Sequence, residues 1–347
     1  MRIVVAPNAL KGSCSAVVAA RAMAEGVRRA VPAATVAAVP VADGGDGLAE
    51  VVVHALGAVQ VAVEVTGPRF APVRAEVAWL PDRRTAFIEM ALASGLALLP
   101  EGRRDATETT SKGTGDLMRA ALDLGADTLV VGIGGSATND GGVGMAAGLG
   151  YRFLNAAGRP VPPTGGHLSE IRRIDASAVD ARLARARVEA ICDVDNPLTG
   201  PHGASRVYGP QKGATPEQVD ALDAGLEHLA DLVARDLGRD MGGLPGGGAA
   251  GGLGGGLYAF CGAVLRPGAD VVLDLVELDR HLGGADLVLT AEGRIDGQTR
   301  FGKAPAAVCA HASRLGVPCI ALAGGLGEGV ECLGEVGIDA VVSICPG

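Results

Sequence analysis

Aromatic residues are scarce in this chain. One Trp, three Tyr and five Phe make up 3% of 347 residues, too few for the stacking platform of a single-stranded nucleic-acid binder. A positive excess is missing too. Thirty Lys and Arg against 39 Asp and Glu give a formal charge of −9, the wrong sign for non-specific binding to nucleic acid or to an anionic membrane. No apolar run reaches bilayer length without charges, and MRIVVAP enters a strand with no signal-peptide pattern. These absences predict a cytoplasmic protein with neither partner. No CxxC, CxxH, HExxH or nucleophile elbow occurs, and the six histidines are dispersed, so a zinc site or a histidine-centred triad is not expected. The seven cysteines (Cys14, Cys192, Cys261, Cys309, Cys319, Cys332 and Cys345) are odd in number and scattered. They read as buried, reduced thiols.

Small aliphatic residues and 54 Gly are abundant instead. Hydrophobic residues at 48% and charged residues at 20% describe a globular chain, and its length suits two domains. The ends read as β–α–β: strands at 2–7, 36–41, 286–289, 318–322 and 340–344. Helices are expected at 16–30, capped by Ser13 or Ser15, and after Lys303. Residues 60–90 hold three closely spaced strands without helices, which predicts an antiparallel meander and a change of domain. Further on come a helix at 113–124, a strand at 128–133, a strand at 186–192 and a Thr215-capped helix at 216–237. GGLPGGGAAGGLGGGL (242–257) reads as packed rather than as a linker, because Leu253, Leu257 and Phe260 flank it. The expected fold is α/β with two domains: a flavodoxin-like parallel sheet domain (1–66 plus 280–347) and a second α/β domain (67–279) inserted into it. Ligands are expected beyond the carboxyl ends of strands, in a cleft between the domains.

Polar loops follow the predicted strands. VVGIGGSATNDGG (130–142) runs from apolar residues into Gly134, Gly135, Ser136, Thr138, Asn139 and Asp140. Glycine backbone N–H groups form anion nests, and Asn139 and Asp140 are hard oxygen donors suited to magnesium. The same loop loosely matches a dinucleotide fingerprint, but no ribose-binding acid stands near position 152. PNALKGS places Lys11 near a helix start, where it meets an anion or is simply an exposed lysine. ADGGDG offers Asp43 and Asp46 for a metal or a substrate hydroxyl, or as a plain turn. DVDNP sets Asp193 and Asp195 just beyond a strand, one to face a ligand and the other to brace the loop. GPQKGA sets Lys212 in a rigid turn. AEGRIDGQTRFGKAP combines Glu292, Arg294 and Asp296 with Lys303, and Gly297–Lys303 spells GxxxxGK without the Ser or Thr of a Walker loop.

Eight strings in order (APNALKGS, ADGGDG, EMALASGLAL, GIGGSATNDGG, DVDNPLTGPHGAS, PQKGAT, PGGGAAGGLG and EGRIDGQTRFGKAP) make the chain similar to the bacterial glycerate kinase type 2 family. The resemblance spans essentially the whole chain. It implies a two-domain α/β fold and ATP-dependent phosphorylation of D-glycerate with magnesium, mostly at the 2-hydroxyl. A 3-kinase, a dehydrogenase and a non-catalytic glycerate-binding protein are the alternatives. Monomer and dimer both stay open. Under the resemblance, Asp193 is the expected proton acceptor, with Asp195 competing. Lys11 and Lys303 neutralise charge, Asp296 partners a hydroxyl or metal, and Asp43, Arg294 and Asp195 meet substrate. Gly134, Gly135, Ser136, Thr138, Asn139 and Lys212 hold ATP, and Asp140 and Glu292 hold magnesium. Three departures stand out. Asn8-Ala9-Leu10 replaces a common Asp-Ser-Phe, Lys112 replaces an aromatic, and the string stops at Pro346-Gly347 where relatives continue into a helix.

Overall fold

The computed structural model describes residues 1–45, 47–300 and 303–345. Among them are thirteen strands: β1 (Arg2–Val5), β2 (Thr35–Ala38), β3 (Val59–Thr66), β4 (Pro72–Leu80), β5 (Thr85–Glu89), β6 (Thr128–Gly132), β7 (Arg152–Leu154), β8 (Arg173–Asp175), β9 (Arg187–Ile191), β10 (Val264–Arg266), β11 (Leu287–Ile295), β12 (Cys319–Leu326) and β13 (Ala340–Ser343). The chain divides into two compact units, Met1–Gly57 with Pro267–Gly347, and Ala58–Arg266. Asp46, Phe301, Gly302, Pro346 and Gly347, named in the motifs above, lie outside the described residues.

The first unit holds a five-stranded sheet in the order β13-β12-β11-β1-β2, parallel throughout. Counted within the unit this is 2-1-3-4-5, the flavodoxin-like order. Continuous apolar strands suit a sheet covered on both faces, and Val4, Val5 and Val288 are fully buried. Ser15, not Ser13, caps the helix Ala16–Ala30: its Oγ accepts from Val18 N at 3.3 Å. That helix buries a face of Ala16, Ala19, Ala20 and Ala24. Helices Leu48–Leu56 and Gly268–Leu275 were not foreseen; each starts at glycines rather than at a recognisable polar cap.

The second unit holds a six-stranded sheet, β10-β9-β6-β5-β4-β3. The meander β3-β4-β5 is antiparallel as expected. From β5 onward the pairing turns parallel through β6, β9 and β10. All of β3 pairs with β4, so residues 59–66 belong to this unit and the division falls at 57/58 and 266/267 instead of 66/67 and 279/280. A full capping box starts the helix Pro216–Leu237, with Thr215 Oγ1 accepting from Gln218 N and Gln218 Oε1 accepting from Thr215 N. The glycine-rich stretch is packed: the helix Ala249–Cys261 buries Leu253, Leu257 and Phe260, with the Phe260 ring edge-on to Tyr151 and Phe153.

The cysteine expectation is corrected. Cys309, on the helix Ala304–Arg314, is disulfide-bonded to Cys319 at the start of β12, ten residues on, and both are fully buried. Of the rest only Cys261 is buried. Helix-to-strand pairing is invisible as a CxxC-type spacing. Closing so short a loop contributes about 2–3 kcal/mol by restricting the unfolded chain. A reductant is therefore expected to lower the urea midpoint of the wild type and to leave that of a Cys309→Ala/Cys319→Ala variant unchanged.

Candidate active site

In the first unit the polar residues gather at the carboxyl edge of the sheet. Lys11 follows β1, Asp43 follows β2, Glu292 and Arg294 lie in the last residues of β11, and Asp296 follows it. Lys303 occupies the N-cap of the helix Ala304–Arg314. These groups sense one another: Glu292 responds to the charges of Lys303, Asp43, Lys11 and Asp296. Burial pushes the Glu292 carboxyl up to about 7, with the two lysines pulling it back. Among the described residues its buried Oε2 has no hydrogen-bond partner. Arg294 is 72% exposed, with Nε 3.5 Å from Asp296 Oδ2, so its fork can face a solute. Sequence reasoning missed one member of this set. Asn8 Nδ2 donates to Asp43 Oδ2 at 3.0 Å, and Asn8 Oδ1 accepts from Ala9 N at 2.8 Å. An amide at this position donates to Asp43, where a carboxylate would repel it.

In the second unit the loop after β6 is braced on every side. Leu96 N donates to Gly135 O at 2.8 Å, Ala137 N to Ser94 O at 2.9 Å, and Thr109 Oγ1 to Ala137 O at 2.9 Å. The EMALASGLAL string thus serves as a wall for the loop. Gly135 is exposed and Gly134 half-buried, whereas Ser136, Thr138, Asn139 and Asp140 are buried. Access to an anion at this loop is therefore through the glycine backbone, as a nest provides. Asn139 Nδ2 donates to Ser205 Oγ at 2.9 Å, while Asn139 Oδ1 and Thr138 Oγ1 are buried without partners among the described residues. Gly251 presses on the loop from the helix Ala249–Cys261: at φ +71°, a Cβ there would meet Thr138 O at 1.9 Å. Only glycine fits, which explains a run of glycines that local propensity disfavours.

Lys212 is buried with this loop, not poised at its mouth. Its Nζ donates to Ser136 Oγ and to Thr138 O, both at 2.7 Å. Desolvation brings its ammonium down to about 7, against the pull of Asp140. The direct nucleotide contact expected of Lys212 gives way to a bracing one.

Asp140 has a bracing role as well. Its Oδ2 accepts from Ser111 N (2.7 Å), Ser111 Oγ (2.8 Å) and Gly144 N (3.1 Å), and its Oδ1 from Gly142 N (3.1 Å). Burial pushes this carboxyl up and the four donors oppose the rise. The carboxylate thus ties Ser111, at the head of the helix Lys112–Asp123, to the start of the short helix Val143–Gly148. Ser111 makes no side-chain cap hydrogen bond and serves Asp140 instead. Among the described residues no group of three His, Cys, Asp or Glu is arranged to hold a metal. The carboxylates of the described residues do not gather into a resident magnesium site.

The loop after β9 leaves Asp193 half-buried and Asp195 exposed. Lys112, the departure noted above, donates to Thr66 Oγ1 (3.0 Å) and to both oxygens of Asp116 (3.0 and 3.1 Å). It is tied into the second unit's fold.

Among the described residues no helix is long and apolar enough to cross a membrane. Residues 3–347 match the glycerate kinase family model. The chain is 47% identical to a glycerate kinase of Bacillus subtilis (strain 168), covering 100% of this chain and 91% of that one. It is 44% identical to glycerate 2-kinase of Escherichia coli (strain K12), covering 99% and 90%. A crystal structure described as putative glycerate kinase 2 from Salmonella typhimurium LT2 superposes with a TM-score of 0.88 at 49% identity, covering 99% of this chain and 90% of that one. Family match, sequence identity and fold agree along the full length: the chain belongs to the glycerate kinase family.

Proposed function

We propose that this kinase transfers the γ-phosphoryl group of ATP to D-glycerate, with the 2-hydroxyl as acceptor. The observation that carries the reading is the full-length similarity to relatives named glycerate kinase, one of them a glycerate 2-kinase. The residues supply what the reaction needs. Phosphoryl transfer depends on positioning and on neutralising charge at the moving group, with little covalent work for the protein. Gly134 and Gly135 offer backbone donors for phosphate, held in place by Lys212 and Asp140 from beneath. Lys11 and Lys303 neutralise phosphate or the glycerate carboxylate, and Arg294 presents a planar fork to two carboxylate oxygens. Asp43, oriented by Asn8, accepts from a substrate hydroxyl. Magnesium enters with ATP, held by its phosphates.

The reading predicts phosphoryl transfer that depends on D-glycerate. ADP release followed with D-glycerate, L-glycerate or no acceptor tests this. Turnover is expected with D-glycerate alone. ATP hydrolysis indifferent to D-glycerate, or D-glycerate binding without ADP release, would overturn the reading; the second result would favour a non-catalytic binder.

A further inference from the structure

Glu292 is the most unusual carboxylate of the first unit. It is 8% exposed, and among the described residues its Oε2 meets no donor. An unpaired oxygen at such depth is costly and needs a purpose. Four charged side chains act on it from four segments: Lys11 after β1, Asp43 after β2, Asp296 after β11 and Lys303 at the head of the helix Ala304–Arg314. Two are cations and two are carboxylates, so their charges offset and burial decides the balance. The geometry leaves that buried oxygen, at the carboxyl edge of the sheet and beside two cations, open to a substrate proton.

We propose that Glu292, rather than Asp193, accepts the proton of the glycerate hydroxyl; this rests on the glycerate kinase reading above. The hydroxyl oxygen forms a bond to the γ-phosphorus of ATP. The bond from that phosphorus to the bridging oxygen breaks, and ADP leaves with the electron pair. The hydroxyl proton moves to Glu292 Oε2 and passes to water when product departs. Lys11 and Lys303 hold the anionic partners beside the carboxylate, so the base and the counter-charges come from one unit. Asp193 lacks the distinguishing feature, being only half-buried on an outgoing loop.

The test is kcat/KM for D-glycerate from about pH 5.5 to about pH 9 in wild type, Glu292→Gln, Glu292→Asp and Asp193→Asn. An ionised carboxylate is the active form, so wild-type activity is expected to rise with pH through a limb near 7. Glu292→Gln is expected to lose that limb and about a hundredfold or more in kcat, with KM for ATP unchanged. Glu292→Asp keeps the limb at reduced rate. A Glu292→Gln enzyme within about threefold of wild type, or one that retains the wild-type limb, would overturn the assignment. So would loss of the limb in Asp193→Asn alone. Wild type that releases no ADP with D-glycerate at any pH would instead overturn the kinase reading itself, and the base with it.

Discussion

In a Lys212→Met variant, activity is expected to collapse while stability near neutral pH stays close to wild type. The lysine is fully buried, and its fall from 10.5 to about 7 sets the cost of keeping its ammonium form folded at roughly 5 kcal/mol. Methionine has similar length and removes that cost. It also deprives Ser136 Oγ and Thr138 O of their donor, at about 1–3 kcal/mol each. At or below about pH 7 the two effects are of similar size, and the net change is within about 2 kcal/mol. The sign with pH follows from the lowered value. The ammonium cost is present in full below 7 and fades as pH rises toward 10.5. The wild type therefore gains on the variant through that window, and urea midpoints at about pH 6.5 and about pH 9.5 should diverge at the higher pH. Activity has no such compensation. The loop that presents Gly134 and Gly135 loses its central tie, and displacement by about 1 Å costs on the order of a hundredfold. A variant with wild-type turnover, or a stability gap that does not widen with pH, would contradict the bracing role.

Lys303→Ala is expected to fold normally and to lose about a hundredfold in kcat/KM. Lys303 stands at an N-cap without making a cap hydrogen bond, so alanine removes nothing the helix uses. Folding is expected to change by less than about 0.5 kcal/mol. The reaction loses a cation placed among the carboxylates that would receive substrate, a change of about 3 kcal/mol in the transition state. A second readout is independent of the rate. The Lys303 charge pulls the Glu292 carboxyl down, so its removal should move the acid limb of the pH profile upward. Near-wild-type turnover with an unmoved limb would dismiss Lys303 from the site.

These two lysines mark the extent to which the site is legible in the sequence. Lys303 is readable because it stands beside a helix start in a string dense with charge. Lys212 is visible as a lysine in a turn, but its partner Ser136 lies 76 residues away, and no local pattern announces burial. Asp140 has the residue type for magnesium. Only the geometry shows four protein donors around it. Asn8 stands out as a departure, yet its hydrogen bond to Asp43 bridges two strand ends that sequence alone does not join. Among the elements, period-2 alternation reveals the meander, and Thr215 marks where the longest helix starts. The helix Val143–Gly148 is hidden because glycine and small residues carry almost no helical signal, and its N-terminus is secured by the remote Ser111–Asp140 pair. The disulfide escapes notice for the same reason: its cysteines are brought together by a helix packing on a strand.

The most direct test of the central claim is the phosphorus NMR spectrum, with proton coupling retained, of the product formed from D-glycerate and ATP. A new phosphate ester split into a doublet by the single C2 proton is the predicted result. An ester split by the two C3 protons would refute the 2-hydroxyl as acceptor, and no ester at all would refute glycerate phosphorylation.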